Sequence, residues 1–255
     1  MIEWREVEIY HIHSIIESSN ILYQDQVRQF TELLQLQQPP VGMAFVEDVP
    51  MGVQHSPRGV PSACTFWRLA EQGVFYATAQ DHKECPIGMM TMGFIMPESD
   101  QQRAHALVNT MASVQYFSPA EVAALPTVQK PHTSIVYGRL DQFPLEADVV
   151  LCIIDTRQAM LVAEAIGTMN WLQGGQSAFG RPTCAVIPRT LQTGQVSMSF
   201  GCVGARTYTG LTPSELVLTI PGGEFASLLA RLQTIVTANA ALAPFHQQQQ
   251  AKFQM

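Results

Sequence analysis

The chain predicts an α/β fold: a mixed sheet with flanking helices, built as two pseudo-repeated halves. Three observations carry this. Short apolar runs alternate with stretches of helical spacing along most of the length. One run, Asp148-Val149-Val150-Leu151-Cys152-Ile153-Ile154-Asp155, is apolar almost throughout, as a central strand covered on both faces must be. Two segments also echo each other. Ser62-Ala63-Cys64 leads on to Cys85-Pro86-Ile87-Gly88, and Pro182-Thr183-Cys184 leads on to Gly201-Cys202-Val203-Gly204 at a similar separation.

Residues 1–23 mix charged and apolar residues without a period, and read as an N-terminal extension against a neighbouring subunit. A single α/β domain is expected over 24–243, in halves of 24–130 and 131–243, followed by a frayed low-complexity tail at 244–255. Within the domain, Val27, Phe30, Leu33 and Leu34 recur at helical spacing, and Pro39-Pro40 ends that helix. Val41–Val46 reads as a buried strand, and 49–61, with its prolines and glycines, as a loop. Cys64 opens a short helix that stops at Gly73, and Val74–Thr78 is strand-like. A polar run, 80–84, then leads into Cys85. Met89, Met90, Met92 and Met96 follow, and read as flexible core filling rather than a thioether metal site. Helices are expected over 98–116 and 119–125, then strands at 133–138 and 148–155. Thr156 caps a helix running to about Trp171. Residues 184–188 and 195–200 read as strands, 201–210 as a loop, 216–220 as a strand and 224–241 as the last helix.

Of the 255 residues, 47% are hydrophobic and only 14% charged. That is ample for a core but leaves a weakly charged surface, which favours a homo-oligomer. The net charge is −7 and the Lys and Arg residues are scattered, so no basic stripe exists to bind nucleic acid. No uninterrupted apolar window approaches the roughly 18 residues of a membrane span. The acidic Met1–Glu6 start lacks the positive charge of a signal peptide. A cytoplasmic location follows as the expectation. There the five cysteines stay reduced, and an odd number suits disulfides poorly.

With these residues in view, the chain resembles a widespread bacterial and archaeal family of unknown function, the ArCR-type uncharacterised proteins, over about residues 27–235. The resemblance rests on Pro40-Val41 and the strand after it, Cys64, Cys85-Pro86-Ile87-Gly88, Asp148-Val149-Val150-Leu151, Cys184, the Gly201–Arg206 segment and Ile220-Pro221. It implies a shared fold and makes Cys64, Cys85, Cys184 and Cys202 candidate functional positions, without implying an activity. Thr65 stands where the family usually has glutamine.

The cysteines allow three chemistries. Four thiolates suit an iron–sulfur cluster or, alternatively, tetrahedral zinc; the close C-x-x-C pairs typical of zinc are absent, whereas Cys85-Pro86 fits cluster ligation. Gly88 and Gly204 would allow close approach to such a group, and Arg206 would offset its charge. The protein would then serve a redox partner or a small molecule. Second, Cys85 could act as an activated nucleophile beside Asp81, His82 and Lys83. Third, the glycine-rich loop 174–181 could bind a small anion through backbone N–H groups and Arg181, although it matches neither a Walker nor a dinucleotide fingerprint. Against all three stands plain burial, common for free cysteine, and this is the reading for Cys152 within its apolar strand. There is no G-x-S-x-G and no H-E-x-x-H, and His55, His105 and His132 are isolated.

Overall fold

Successive side chains of a strand point to opposite faces. In a computed structural model, which describes residues 23–56, 64–167 and 179–253, the apolar run at 149–155 divides accordingly. Val150, Cys152 and Ile154 enter one hydrophobic core; Val149, Leu151 and Ile153 enter another. A sheet with helices on both sides follows.

In chain order the described elements are helix α1 (23–34), strands β1 (Val41–Val46) and β2 (Gln54–His55), helix α2 (Cys64–Leu69) and strand β3 (Phe75–Thr78). Helices α3 (Ala79–His82), α4 (Pro86–Thr91), α5 (Glu98–Ser113) and α6 (Pro119–Ala123) come next, then strands β4 (Ser134–Arg139) and β5 (Val149–Asp155). The remainder comprises α7 (Thr156–Ile166), β6 (Phe179–Gly180), α8 (Thr183–Thr193), β7 (Ser197–Ser199), α9 (Val203–Thr209), β8 (Glu215–Pro221) and α10 (Phe225–Gln250).

The eight strands form one mixed sheet in the order β2-β3-β4-β1-β5-β8-β7-β6. Read outward from the central β1–β5 pair, the two sides match. On one side β1–β4 and β4–β3 are antiparallel and β3–β2 parallel; on the other β5–β8 and β8–β7 are antiparallel and β7–β6 parallel. The β1–β5 junction is itself antiparallel, with Val41, Gly42 and Met43 opposite Leu151, Val150 and Val149. Because β4 lies beside β1, a division by strand order falls between β4 and β5, later than position 130.

One face of the sheet carries α1, α7 and α10, with Phe30, Leu34, Val162, Leu228 and Leu232 at the centre of its core. Phe30 and Phe225 meet at 5.1 Å between ring centroids. The other face carries α2, α4, α8 and α9, and its core holds Phe66, Trp67, Met89, Met92 and Tyr137. Met89 and Met92 are thus core residues and Met96 packs against this core partly buried, as their irregular packing role suggests.

Three local expectations are corrected. Cys184–Pro188 lies in a helix, not a strand; a short apolar run fits either, and Gly194, left-handed at φ 63°, caps the helix that contains it. Gly201–Gly210 is not all loop, since α9 forms between the Cys202 cap and left-handed Gly210. The expected frayed tail continues α10 to Gln250. By length and composition α10 is also the one described helix apolar enough for a membrane span, but its first turns are buried against the sheet. The expected N-terminal extension lies almost wholly outside the described residues, as does the segment 57–63.

The packing of α10 supplies a test. Leu228 is fully buried, whereas Leu242 is 52% exposed. Leu228→Ala is expected to lower the unfolding free energy by about 2–5 kcal/mol and Leu242→Ala by less than about 0.5 kcal/mol in chemical denaturation. Equal effects would mean that the helix does not dock through its first turns.

A four-cysteine seam between the two sides of the sheet

Four of the five cysteines sit at the beginnings of helices on one face of the sheet. Cys64 opens α2, Cys85 is the N-cap of α4, Cys184 is in the first turn of α8 and Cys202 is the N-cap of α9. The correspondence follows the strand order: α2 links β2 to β3 as α8 links β6 to β7, and Cys85 and Cys202 each follow the next strand. Packing then crosses the junction. Helix α2 lies on α9 and α4 lies on α8. Arg68 fixes the first contact, donating from Nε to the Thr209 carbonyl at 2.9 Å while pairing with Glu71 at 2.7 Å.

The result brings thiols from both halves together. Cys64 and Cys184 line one cavity of about 10 Å3, together with Trp67, Met92, Tyr137 and Ile187. This is at the lower limit for a single water. Cys184 also feels its neighbours: burial pushes its thiol up to about 12, and Cys85 and Cys202 push it in the same direction, against a hydrogen bond with Thr91. Cys64 and Cys184 are buried, while Cys85 and Cys202 are partly exposed at the rim. Cys202 Sγ accepts the Ala205 N–H at 3.3 Å. None of the five cysteines is in a disulfide. Cys152 is buried on the opposite face of the sheet and takes no part. Among the described residues, no three His, Cys, Asp or Glu side chains are grouped to hold a metal ion. The four cysteines are neighbours at one seam without closing on a common ion position.

Sequence reasoning overlooked Tyr137, which joins this site from β4. Its hydroxyl lies 3.1 Å from His82 Nε2, and His82 Nδ1 lies 2.7 Å from the Thr78 carbonyl. A carbonyl only accepts, so Nδ1 carries the proton of the neutral ring, and Nε2 must accept from the Tyr137 hydroxyl. Burial holds the His82 ring neutral, lowering it to about 4. Burial likewise pushes the Tyr137 hydroxyl well above its ordinary value, and Cys64 adds to that push. The His82 ring is packed between Phe66, at 4.5 Å, and Phe94, at 4.8 Å. The only sequence signal for this group is the apolar strand that supplies Tyr137.

Several expected roles change. Both ring nitrogens of His82 are engaged elsewhere, so it is not poised as a base for Cys85; only its carbonyl meets the Cys85 N–H, at 3.0 Å. Asp81 is likewise committed, to Thr78 and to His55 at 2.9 Å. Arg206 does not face a cluster: its terminal nitrogens donate to the Thr212 and Glu215 carbonyls at 2.6 and 3.0 Å, bracing the entry to β8. Arg181 stacks over Tyr116 and Phe117 and donates to the Tyr116 carbonyl. The rest of the proposed anion loop, 174–178, lies outside the described residues. Gly88 is buried within α4, its carbonyl accepting from the Thr91 hydroxyl at 3.0 Å. At Gly204 a Cβ would meet Tyr208 and Cys202 Sγ only at 3.4 and 3.9 Å, so close approach does not demand glycine. Gly201 is different, with φ of 81°. Beside it lies the Thr183 hydroxyl, buried and without a hydrogen-bond partner among the described residues.

The chain belongs to the DUF169 family, described as uncharacterised ArCR, whose model matches residues 29–231. It is similar to an uncharacterised protein of Methanocaldococcus jannaschii, 24% identical over 221 residues, an alignment spanning 82% of this chain and 93% of that protein. No solved structure matches the chain.

The buried histidine makes stability pH-dependent. The unfolded ring binds a proton near pH 6.5 and the folded ring only near pH 4. Between these values the unfolded state holds more protons, so stability falls as pH drops from about 6.5 to about 4. His82→Gln is expected to remove that component in denaturation measured across the pH range. A His82 titration by NMR with a midpoint at or above 6.5 would contradict the burial described.

Proposed function

We propose that the protein binds a thiophilic metal group at the seam through Cys64, Cys85, Cys184 and Cys202. The observation that carries this is the meeting of two thiols from each half of the sheet on one face, while the fifth cysteine packs in the opposite core. Free cysteines used only as small hydrophobes would have no reason to share helix starts in corresponding positions of both halves. The Thr183 hydroxyl, next to Cys184 in the chain, is buried without a hydrogen-bond partner among the described residues and adds a polar atom there.

An iron–sulfur cluster is the group that would use all four sulfurs, and when bound it would supply one-electron transfer to a redox partner. The cavity between Cys64 and Cys184 is too small for a cluster as it stands, so seating one requires α2 and α8 to move apart. A metal-free reading is favoured by one feature: Cys85 is partly exposed at a helix N-cap, where a thiol is reachable by a substrate.

Anaerobic purification followed by a visible spectrum and analysis for iron, zinc and labile sulfide separates these readings. Metal bound in stoichiometric amount and lost in Cys64→Ala and Cys184→Ala is the expected result. Metal-free protein in which Cys85 alone is rapidly alkylated near neutral pH would overturn the metal reading and favour thiol chemistry.

A further inference from the structure

The cavity between the two halves is lined by three sulfur-bearing residues, not two. Cys64 comes from α2, Cys184 from α8 and Met92 from the residue that ends α4. Trp67, Tyr137 and Ile187 line it as well, and among the described residues its walls hold no carboxylate or imidazole. His82, which touches the wall through Tyr137, has both nitrogens committed. Such a set lacks the oxygen donors that magnesium, calcium or manganese require and the four-donor tetrahedron of structural zinc. Two thiolates and a thioether are the donor set that selects soft cuprous copper. The volume of about 10 Å3 accommodates one body of the size of a water and no more.

We infer that this inner cavity is a binding site for a single soft monovalent metal ion, cuprous copper in the first instance, held by Cys64, Cys184 and Met92. The inference rests on the reading that the seam takes a thiophilic metal, and it replaces the four-cysteine ligand set with one ion and three donors. Binding is a ligand exchange without redox change. Copper enters as Cu(I) and remains Cu(I), two Cu–S(thiolate) bonds form as two S–H bonds break, and two protons leave to solvent. Met92 contributes a lone pair only. The bound centre carries one net negative charge. Cys184 stands in the first turn of α8, which at 11 residues is long enough for its N-terminal end to favour that charge. Cys85 and Cys202 are partly exposed, do not line the cavity and are not part of the final set.

The test is an anaerobic titration of the reduced full chain with Cu(I) against a chromogenic cuprous chelator, followed by ultraviolet absorption and tryptophan fluorescence. One equivalent is expected to bind and to perturb Trp67. Cys64→Ser and Cys184→Ser should each cost more than the roughly 10–100-fold in affinity typical of losing a supporting residue, and Met92→Leu about tenfold. Cys85→Ser and Cys202→Ser should retain the tight site. X-ray absorption on the unsubstituted protein guards against variants that misfold, and is expected to show a sulfur-only shell of three donors. Oxygen or nitrogen ligands, or a site abolished by Cys85→Ser but kept in Cys64→Ser, would overturn the inference. Binding of zinc or iron through all four cysteines with no cuprous site would overturn it while leaving the broader metal reading intact. If no metal binds at all, both fall.

Discussion

The antiparallel pairing of β1 with β5 is the constraint on which the molecule depends. It joins two four-stranded arrays edge to edge, so that neither has an open inner edge and both present one continuous face to α2, α4, α8 and α9. Its reinforcement is local and polar. Asp148, just before β5, gives its N–H to the Met43 carbonyl at 2.8 Å, accepts the Phe45 N–H on its carboxylate and pairs with Lys130 at 2.7 Å. A carboxylate that satisfies a backbone donor and a cation at a strand junction is worth more than a solvent-facing ion pair. Slippage by one residue would turn Val150, Cys152 and Ile154 towards the wrong core.

Everything at the seam follows from that junction. Helices from the two arrays cross it and interlock, and their first turns carry the thiols inward. The interior pair is desolvated and hemmed in by aromatic rings, while the rim pair remains accessible. The Thr78–His82–Tyr137 hydrogen-bond chain fixes the wall of the cavity beside Cys64: it sets the histidine tautomer and spends the tyrosine proton, so the tyrosine oxygen is left with lone pairs rather than a hydrogen to offer. Buried polar chains of this kind hold a single arrangement because every broken link strands a polar atom away from water.

Much of this was legible in the sequence, because apolar runs bounded by turns announce strands. Val41–Val46 and Asp148–Asp155 could be read almost to the residue, and the paired cysteine segments pointed to the two arrays before any strand order was available. The segments that misled are those in which one signal serves two structures. Cys184–Pro188 is too short for its apolar content to distinguish helix from strand, and its proline argues against a helix although one forms; Pro188 simply has no N–H to give the Cys184 carbonyl. The charged candidates failed for a different reason. Arg181, Arg206 and His82 carry functional-looking groups, but each is consumed by carbonyls, rings or hydroxyls: Arg181 and one nitrogen of His82 by partners 65 and 55 residues away, and Arg206 by carbonyls six and nine residues on, across a turn whose shape the sequence does not announce. Tyr137 was missed for the converse reason: in a strand of apolar residues it reads as one more core side chain.

A sulfur anomalous-difference map from a crystal of the protein tests the central claim most directly, because it locates the thiols without reference to any assumed ligand. The expected map has the Cys64 and Cys184 peaks on either side of one small cavity with Met92 beside them, Cys85 and Cys202 peaks around it, and Cys152 across the sheet. Peaks for these four cysteines scattered through separate cores, or a sheet in which β1 does not adjoin β5, would contradict the account.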